Sequence, residues 1–151
     1  MFRTGVGAHS PEGLRWTSIS TPAGGELLQV SVGPSGLTWA VLYNGRAIVR
    51  TAVTRDNLSG EAWLEVKPPS NGQEGKNGLK ILQVSVGRNS VWCVTNDNQV
   101  WFRRGIRSEA SGISEDAAIG SGWVEMIGKM SMVSVAPNDQ VGWLRLYLSI
   151  V

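Results

Sequence analysis

The chain reads as all-β: a partial β-propeller of four-stranded antiparallel blades, about two full blades plus partial ones. Three observations predict this. The string Leu28-Gln29-Val30-Ser31-Val32-Gly33 recurs as Leu82-Gln83-Val84-Ser85-Val86-Gly87, and again, degraded, as Met132-Val133-Ser134-Val135-Ala136. A second marker, Gly-x-x-Trp, occurs at Gly13–Trp16, Gly60–Trp63 and Gly120–Trp123, alternating with the first. The period is blade-like: Val30 to Val84 is 54 positions, Val84 to Val133 is 49, and Trp16 to Trp63 is 47. Such units stack on their neighbours to bury an apolar face, and propeller blades run at about 40 to 50 residues.

Each element follows in order. Leu27 to Gly33 alternates apolar and polar residues, placing Leu28, Val30 and Val32 on one face of a first, inner strand. Thr38 to Tyr43 is rich in β-formers and runs into Asn44-Gly45, the composition of a type I′ hairpin turn. Arg46 to Val53 returns as a third strand, and Trp63 to Val66 is the fourth, stopped by Pro68-Pro69. The second unit copies the first, with strands at Leu79–Gly87, Val91–Thr95, Gln99–Ile106 and Trp123–Ile127 and a turn at Asn96-Asp97-Asn98. From Arg50 to Trp63 is 13 positions, as is Arg3 to Trp16, whereas Arg103 to Trp123 is 20, so this last loop carries 7 extra residues. The insertion is small, polar and acidic around Glu115-Asp116 and is expected to be a loop; no helix is expected anywhere.

Phe2-Arg3-Thr4-Gly5-Val6 matches Phe102-Arg103-Arg104-Gly105-Ile106, so the first residues read as the third strand of an earlier blade. The organisation expected is a partial blade over 1–26, blades over 27–67 and 79–127, a partial blade over 130–141, and a tail over 142–151. With so few blades the chain is expected to be a propeller segment, marginal or aggregation-prone alone, because incomplete blades expose strand edges.

Composition narrows the function. Net charge is +2, too small to argue for nucleic acid. The single cysteine, Cys93, cannot form an internal disulfide, and no N-terminal apolar core of a signal peptide is present, which leads us to expect a cytoplasmic location. No apolar run reaches the roughly 18 residues of a membrane span. His9, the only histidine, has no partner at metal-ligand spacing, and no nucleophile–base–acid set stands out. The expectation is a binding module with no cofactor and no catalytic residue.

The motifs from Val84-Ser85-Val86-Gly87 through Val91-Trp92-Cys93-Val94, Val100 to Ile106 and Gly122-Trp123 resemble the tectonin repeat. With Trp123 to Val133 and Asn138-Asp139-Gln140-Val141, the resemblance covers roughly Phe2 to Val141 and is most similar to the tectonin β-propeller repeat proteins. The family pattern continues Asn-Asp-Gln-Val-Trp-Gly, whereas here Val141 is followed by Gly142-Trp143, as expected of a truncated or differently spliced segment. The resemblance implies tectonin blades in a cytosolic protein of autophagy and the damaged-lysosome response. Such a protein would be peripheral on autophagosomal or lysosomal membranes and would contact partners of the autophagy machinery. The repeated arginines Arg3, Arg50, Arg103 and Arg104 make an acidic phosphoinositide surface a further candidate partner, and a secreted-type tectonin lectin that binds glycans is the alternative.

Candidate site residues follow. Trp16, Trp63 and Trp123 share a repeat position, and fit either aromatic platforms for sugar or lipid headgroups or packing between blades. With Trp39, Trp92, Gly33 and Gly87 they are assigned here to the structural core of the repeat. Arg50, Arg103 and Arg104, with Arg3, lie near the ends of third strands and fit either a ring of cations for an acidic partner or cation–π pairs with the neighbouring Trp; recurrence at one register favours the second. Glu115 and Asp116, on the insertion, suit a basic protein partner, since partner choice concentrates in the loops of a repetitive scaffold.

Overall fold

The structure, a computed structural model, describes residues 1–22, 25–72, 78–108 and 113–144. Twelve strands and one short helix are described: β1 (Phe2–Thr4), β2 (Arg15–Thr17), β3 (Leu27–Val32), β4 (Thr38–Leu42), β5 (Ala47–Arg50), β6 (Trp63–Val66), β7 (Ile81–Val86), β8 (Val91–Thr95), β9 (Gln99–Arg104), α1 (Glu115–Ile119), β10 (Gly122–Lys129), β11 (Met132–Val135) and β12 (Val141–Leu144). They form two four-stranded antiparallel sheets, β3-β4-β5-β6 and β7-β8-β9-β10, flanked by the two-stranded sheets β1-β2 and β11-β12. Each four-stranded sheet is one blade, traced strand by strand from the inner to the outer edge.

Cross-strand register places every sheet in the repeat. Arg3 pairs with Trp16, Arg50 with Trp63, and Arg103 with Trp123. The β1-β2 sheet is therefore the outer half of a blade, its third and fourth strands. Ser31 pairs with Trp39, Ser85 with Trp92, and Ser134 with Gly142. The β11-β12 sheet is therefore an inner half. β12 runs straight across position 142, so the backbone continues as a strand where the residues leave the family pattern. The one-residue shift puts Gly142 at the register of Trp39 and Trp92, and moves Trp143 to the opposite face, largely exposed. The apolar tail beyond Leu144 lies outside the described residues.

The main core lies between the two full blades. Trp39, Val41 and Val49 of the first blade pack against Ile81, Val84 and Cys93 of the second. A smaller cluster of Val94, Val100 and Val133 joins the second blade to β11.

The tight hairpin differs from the expected type I′ turn. Gly45 has φ 85° but Asn44 is not left-handed, so only one of the two positive angles is present. The Gly45 N–H donates to Leu42 O at 2.9 Å, giving a three-residue loop in which Gly45 is the single left-handed residue. The Asn44 side chain instead accepts from Arg46 N at 3.0 Å, and Asn98 (φ 64°) repeats the device in the second blade. The third strand is also shorter than expected, ending at Arg50 because Ala52 turns the chain with φ 53°.

The insertion before Trp123 is not simply a loop. Residues 109–112 lie outside the described ones, but Ser114 caps α1, its Oγ accepting from Ala117 N at 3.3 Å. Ala117 and Ala118 are buried against the blades, which is what orders five residues that would not hold a helix alone. Among the described residues no helix is long and apolar enough to cross a membrane.

Candidate functional site

Three copies of one device mark the rim of the blades. The guanidinium of Arg3 lies 5.3 Å from the Trp16 ring centre, Arg50 lies 5.3 Å from Trp63, and Arg103 lies 5.1 Å from Trp123. Each Arg Nε also donates to a carbonyl of the loop between third and fourth strands: Glu12 O at 2.7 Å, Ser59 O at 2.8 Å and Ile119 O at 2.8 Å. The residue immediately after that carbonyl is in each case the glycine of Gly-x-x-Trp. Gly13, Gly60 and Gly120 all have positive φ, of 69°, 61° and 70°. A Cβ at any of them would run into the main-chain carbonyl of the residue after the Arg, namely Thr4, Thr51 or Arg104. The second marker of the sequence is thus a single latch: a left-handed glycine lets the loop reach back, and Arg and Trp close over it.

These contacts consume the cations. Arg50 and Arg103 are buried, and burial lowers the pKa of both; for Arg103 the neighbouring Cys93 acts in the opposite sense. They do not form an open ring for an anion. Arg104 is exposed, one position after the buried Arg103 on β9. Cys93 is a buried free thiol whose pKa burial pushes well up, with Arg103 opposing, so it remains protonated and packs as a small apolar group.

The tryptophans join blades to one another. Trp39 is fully buried and its Nε1–H donates to Ala118 O, on α1 of the next blade, at 3.2 Å. Its ring meets that of Trp123 edge-on at 6.0 Å. Trp63 and Trp123 are half-buried, donating to Ser20 O and Lys67 O of the preceding unit, each at 2.9 Å. Trp92 meets Phe102 at a tilt of 55° with ring centres 5.1 Å apart, and Trp16 is 63% exposed. Gly33 and Gly87 serve close approach: a Cβ on Gly33 would strike Gly87 O, and one on Gly87 the Asp139 carboxylate.

Sequence reasoning missed the role of the polar residues in the first marker. The Gln29 amide donates to Val84 O and accepts from Val84 N, both at 2.9 Å. Gln83 does the same with Val133, again at 2.9 Å twice. Ser31 Oγ accepts from Val86 N at 3.1 Å and Ser85 Oγ from Val135 N at 2.9 Å. The primary amide, with one donor and one acceptor side by side, imitates a peptide group. It supplies ladder rungs between the inner strands of adjacent blades, whose main chains are not paired with each other. The identical spacing of Gln and Ser in both copies was the available signal.

Among the candidate residues, Glu115 and Asp116 in the first turn of α1 are exposed, as are Arg104 and Trp16. The helix is held from beneath by Trp39 and Arg103 through its carbonyls. Among the described residues no group of three or more His, Cys, Asp or Glu is placed to hold a metal ion.

Comparison with known proteins agrees with this geometry. A propeller family model (Hyd_WA) matches residues 39–66 and 90–110. A tectonin beta-propeller repeat-containing protein of Drosophila melanogaster is 65% identical over 93% of this chain, and tectonin beta-propeller repeat-containing protein 1 of Mus musculus is 43% identical over 93%. The chain spans about a tenth of the length of these relatives, 10% and 11% respectively. The crystal structure of human WBSCR16 superposes over 80% of this chain and 31% of its own length, with a TM-score of 0.50 at 13% identity, a likeness of fold.

Proposed function

This chain belongs to the tectonin β-propeller repeat family, and from that premise we propose that it is a non-enzymatic interaction module of a cytosolic protein of autophagy and the damaged-lysosome response. It acts by presenting loops on rigid blades to protein partners at autophagosomal or lysosomal membranes. The observation that carries this reading is the internal use of the reactive side chains. The Arg and Trp of the latches in the two full blades, Trp39 and Cys93 are all taken up within or between blades. Recognition then falls to the loops, and the distinctive one places Glu115 and Asp116 on a capped helix above a fixed core. This pair suits a basic protein surface. Arg50 and Arg103, engaged by carbonyls, do not favour a phosphoinositide headgroup.

A test of this reading must leave the buried face of α1 intact. Deleting 113–119 would remove buried Ala117 and Ala118 and the carbonyls that bind Trp39 and Arg103, and so would unfold the blade rather than probe a surface. The clean variant is Glu115→Lys with Asp116→Lys. The tagged chain is expected to enrich on chemically damaged lysosomes and to co-precipitate partners, and the double variant to lose several-fold of both with its β circular dichroism unchanged. Enrichment and partners that survive the charge reversal would remove the loop from the account. The exposed Trp16 ring is the one feature favouring the glycan reading, which a glycan array with the same chain decides.

A further inference from the structure

We propose that the cleft lined by Lys67, Ser70, Arg103, Ser121 and Trp123, between the two full blades, binds the phosphate of a phosphorylated serine or threonine on a protein partner. The latch arginines differ in the donors they leave unused. Arg3 and Arg50 each give Nε to one carbonyl and Nη2 to the next, Gly13 O at 3.2 Å and Gly60 O at 3.4 Å. Arg103 gives only Nε, to Ile119 O at 2.8 Å. Among the described residues its two Nη nitrogens have no acceptor, and no carboxylate pairs with it. Yet Arg103 is only 6% exposed, and its guanidinium is fixed against the Trp123 ring, 5.1 Å from the ring centre. Burying a cation is costly unless its charge and donors are answered. A held guanidinium with two adjacent N–H donors to spare is one half of a bidentate contact with an oxyanion.

The cleft beside it supplies further donors. It has a volume of about 280 Å³ and is lined from one side by the segment that leaves β6 and from the other by β9 and β10. Lys67 is exposed, and among the described residues its ammonium makes no ion pair or hydrogen bond. The Lys67 carbonyl accepts from Trp123 Nε1 at 2.9 Å, which fixes the backbone from which this lysine extends. Ser70 and Ser121, both exposed, add two hydroxyls. No carboxylate lines the cleft.

Charge and donor count select the ligand. A carboxylate is satisfied by one guanidinium fork. Two cations and two hydroxyls match a phosphate monoester, which carries about −1.5 to −2 charge at pH 7 and three acceptor oxygens. A protein rather than a membrane presents it. The helix α1, whose Ile119 O holds Arg103, exposes Glu115 and Asp116, and two carboxylates there repel an anionic lipid surface. Lys67 belongs to the first full blade and Arg103 to the second, so the site exists only where the blades are stacked. Charge reversal at Glu115 and Asp116 leaves every phosphate donor in place, so the α1 reading and this one fail separately.

The test titrates the isotopically labelled full chain with a blocked phosphoserine (N-acetyl, C-amide) and, separately, with inorganic phosphate, following backbone and indole N–H signals by NMR. Saturable shifts are expected at Ser121 and at the Trp123 indole N–H, and none with the blocked serine that lacks phosphate. Lys67→Glu should weaken binding by at least about tenfold, as loss of a charged hydrogen bond does. Arg103→Lys, which keeps the charge but loses the fork, should weaken it as much. If Arg103→Lys loses its β circular dichroism, the exposed Lys67 decides. No saturable shift, or an affinity unchanged in Lys67→Glu, would overturn the proposal. So would binding of inorganic phosphate without the blocked phosphoserine, which would confine the cleft to a free anion. Sedimentation with phosphatidylcholine vesicles containing phosphatidylinositol phosphate is the last arm, in which the chain should stay in solution. Lys67-dependent co-sedimentation would assign the cleft to a membrane instead.

Discussion

At the scale of single residues, the repeated markers are conformational and hydrogen-bonding necessities. Gly60 is required by its φ of 61° and by the Thr51 carbonyl beneath it. Gly60→Ala is expected to cost about 1–3 kcal/mol in urea unfolding, whereas Gly122→Ala, with open space around its Cβ and no positive φ, should stay within about 0.5 kcal/mol. The converse holds at Ala52. It occupies the position that Gly5 and Gly105 take in the other units, two residues after the latch arginine, at φ 53° against their 70° and 80°. An alanine there carries the left-handed penalty of about 1–2 kcal/mol, partly offset by the smaller freedom it loses on folding. Ala52→Gly should raise stability by about 0.5–1 kcal/mol in the same measurement, and a destabilised variant would show that the Ala52 methyl packs. The Gly-x-x-Trp pattern was legible in the residues. What it does was not, because a left-handed backbone and a carbonyl nine positions away in sequence, or sixteen in the second full blade, meet only in the folded blade.

At the scale of elements, the strands were legible because period-2 alternation, β-branched residues and Asn-containing turns coincide in both units. The helix α1 was not. Its five residues, Glu-Asp-Ala-Ala-Ile, carry no apolar stripe of helical period, and it is ordered by burial of two alanines and by its cap. Ser114 followed by two acids was a usable start signal, masked by the small polar residues around it. The turn between β8 and β9 gives a pH-dependent prediction. Burial alone would raise the pKa of Asp97, but the Thr95 hydroxyl at 2.6 Å, the backbone N–H of Gln99 and the charge of Lys129 outweigh it, and the net direction is downward. A carboxylate held below its unfolded value of about 3.9 stabilises the fold fully above that value and loses the contribution as pH falls through the folded pKa. Stability measured from pH 7 into the acid range should therefore fall less steeply in Asp97→Asn than in the unmodified chain. A parallel acid profile for the two would mean that the turn does not depend on the charge.

At the scale of the molecule, the account rests on how blades are joined. Apolar packing holds the full blades face to face, but their inner strands are tied by side chains that replace a ladder, Gln29 and Gln83 with Ser31 and Ser85. That joint explains why a polar residue recurs within an otherwise apolar string. Amide hydrogen exchange on the intact chain tests it most directly. The N–H groups of Val84 and Val133 should exchange slowly, and Gln29→Leu should speed exchange at Val84 by at least about tenfold while leaving Val133 protected, since losing a buried partner costs about 1–3 kcal/mol. Exchange at Val84 that is fast in the unmodified chain, or unchanged in Gln29→Leu, would contradict the joint and with it the blade stacking on which every other inference depends.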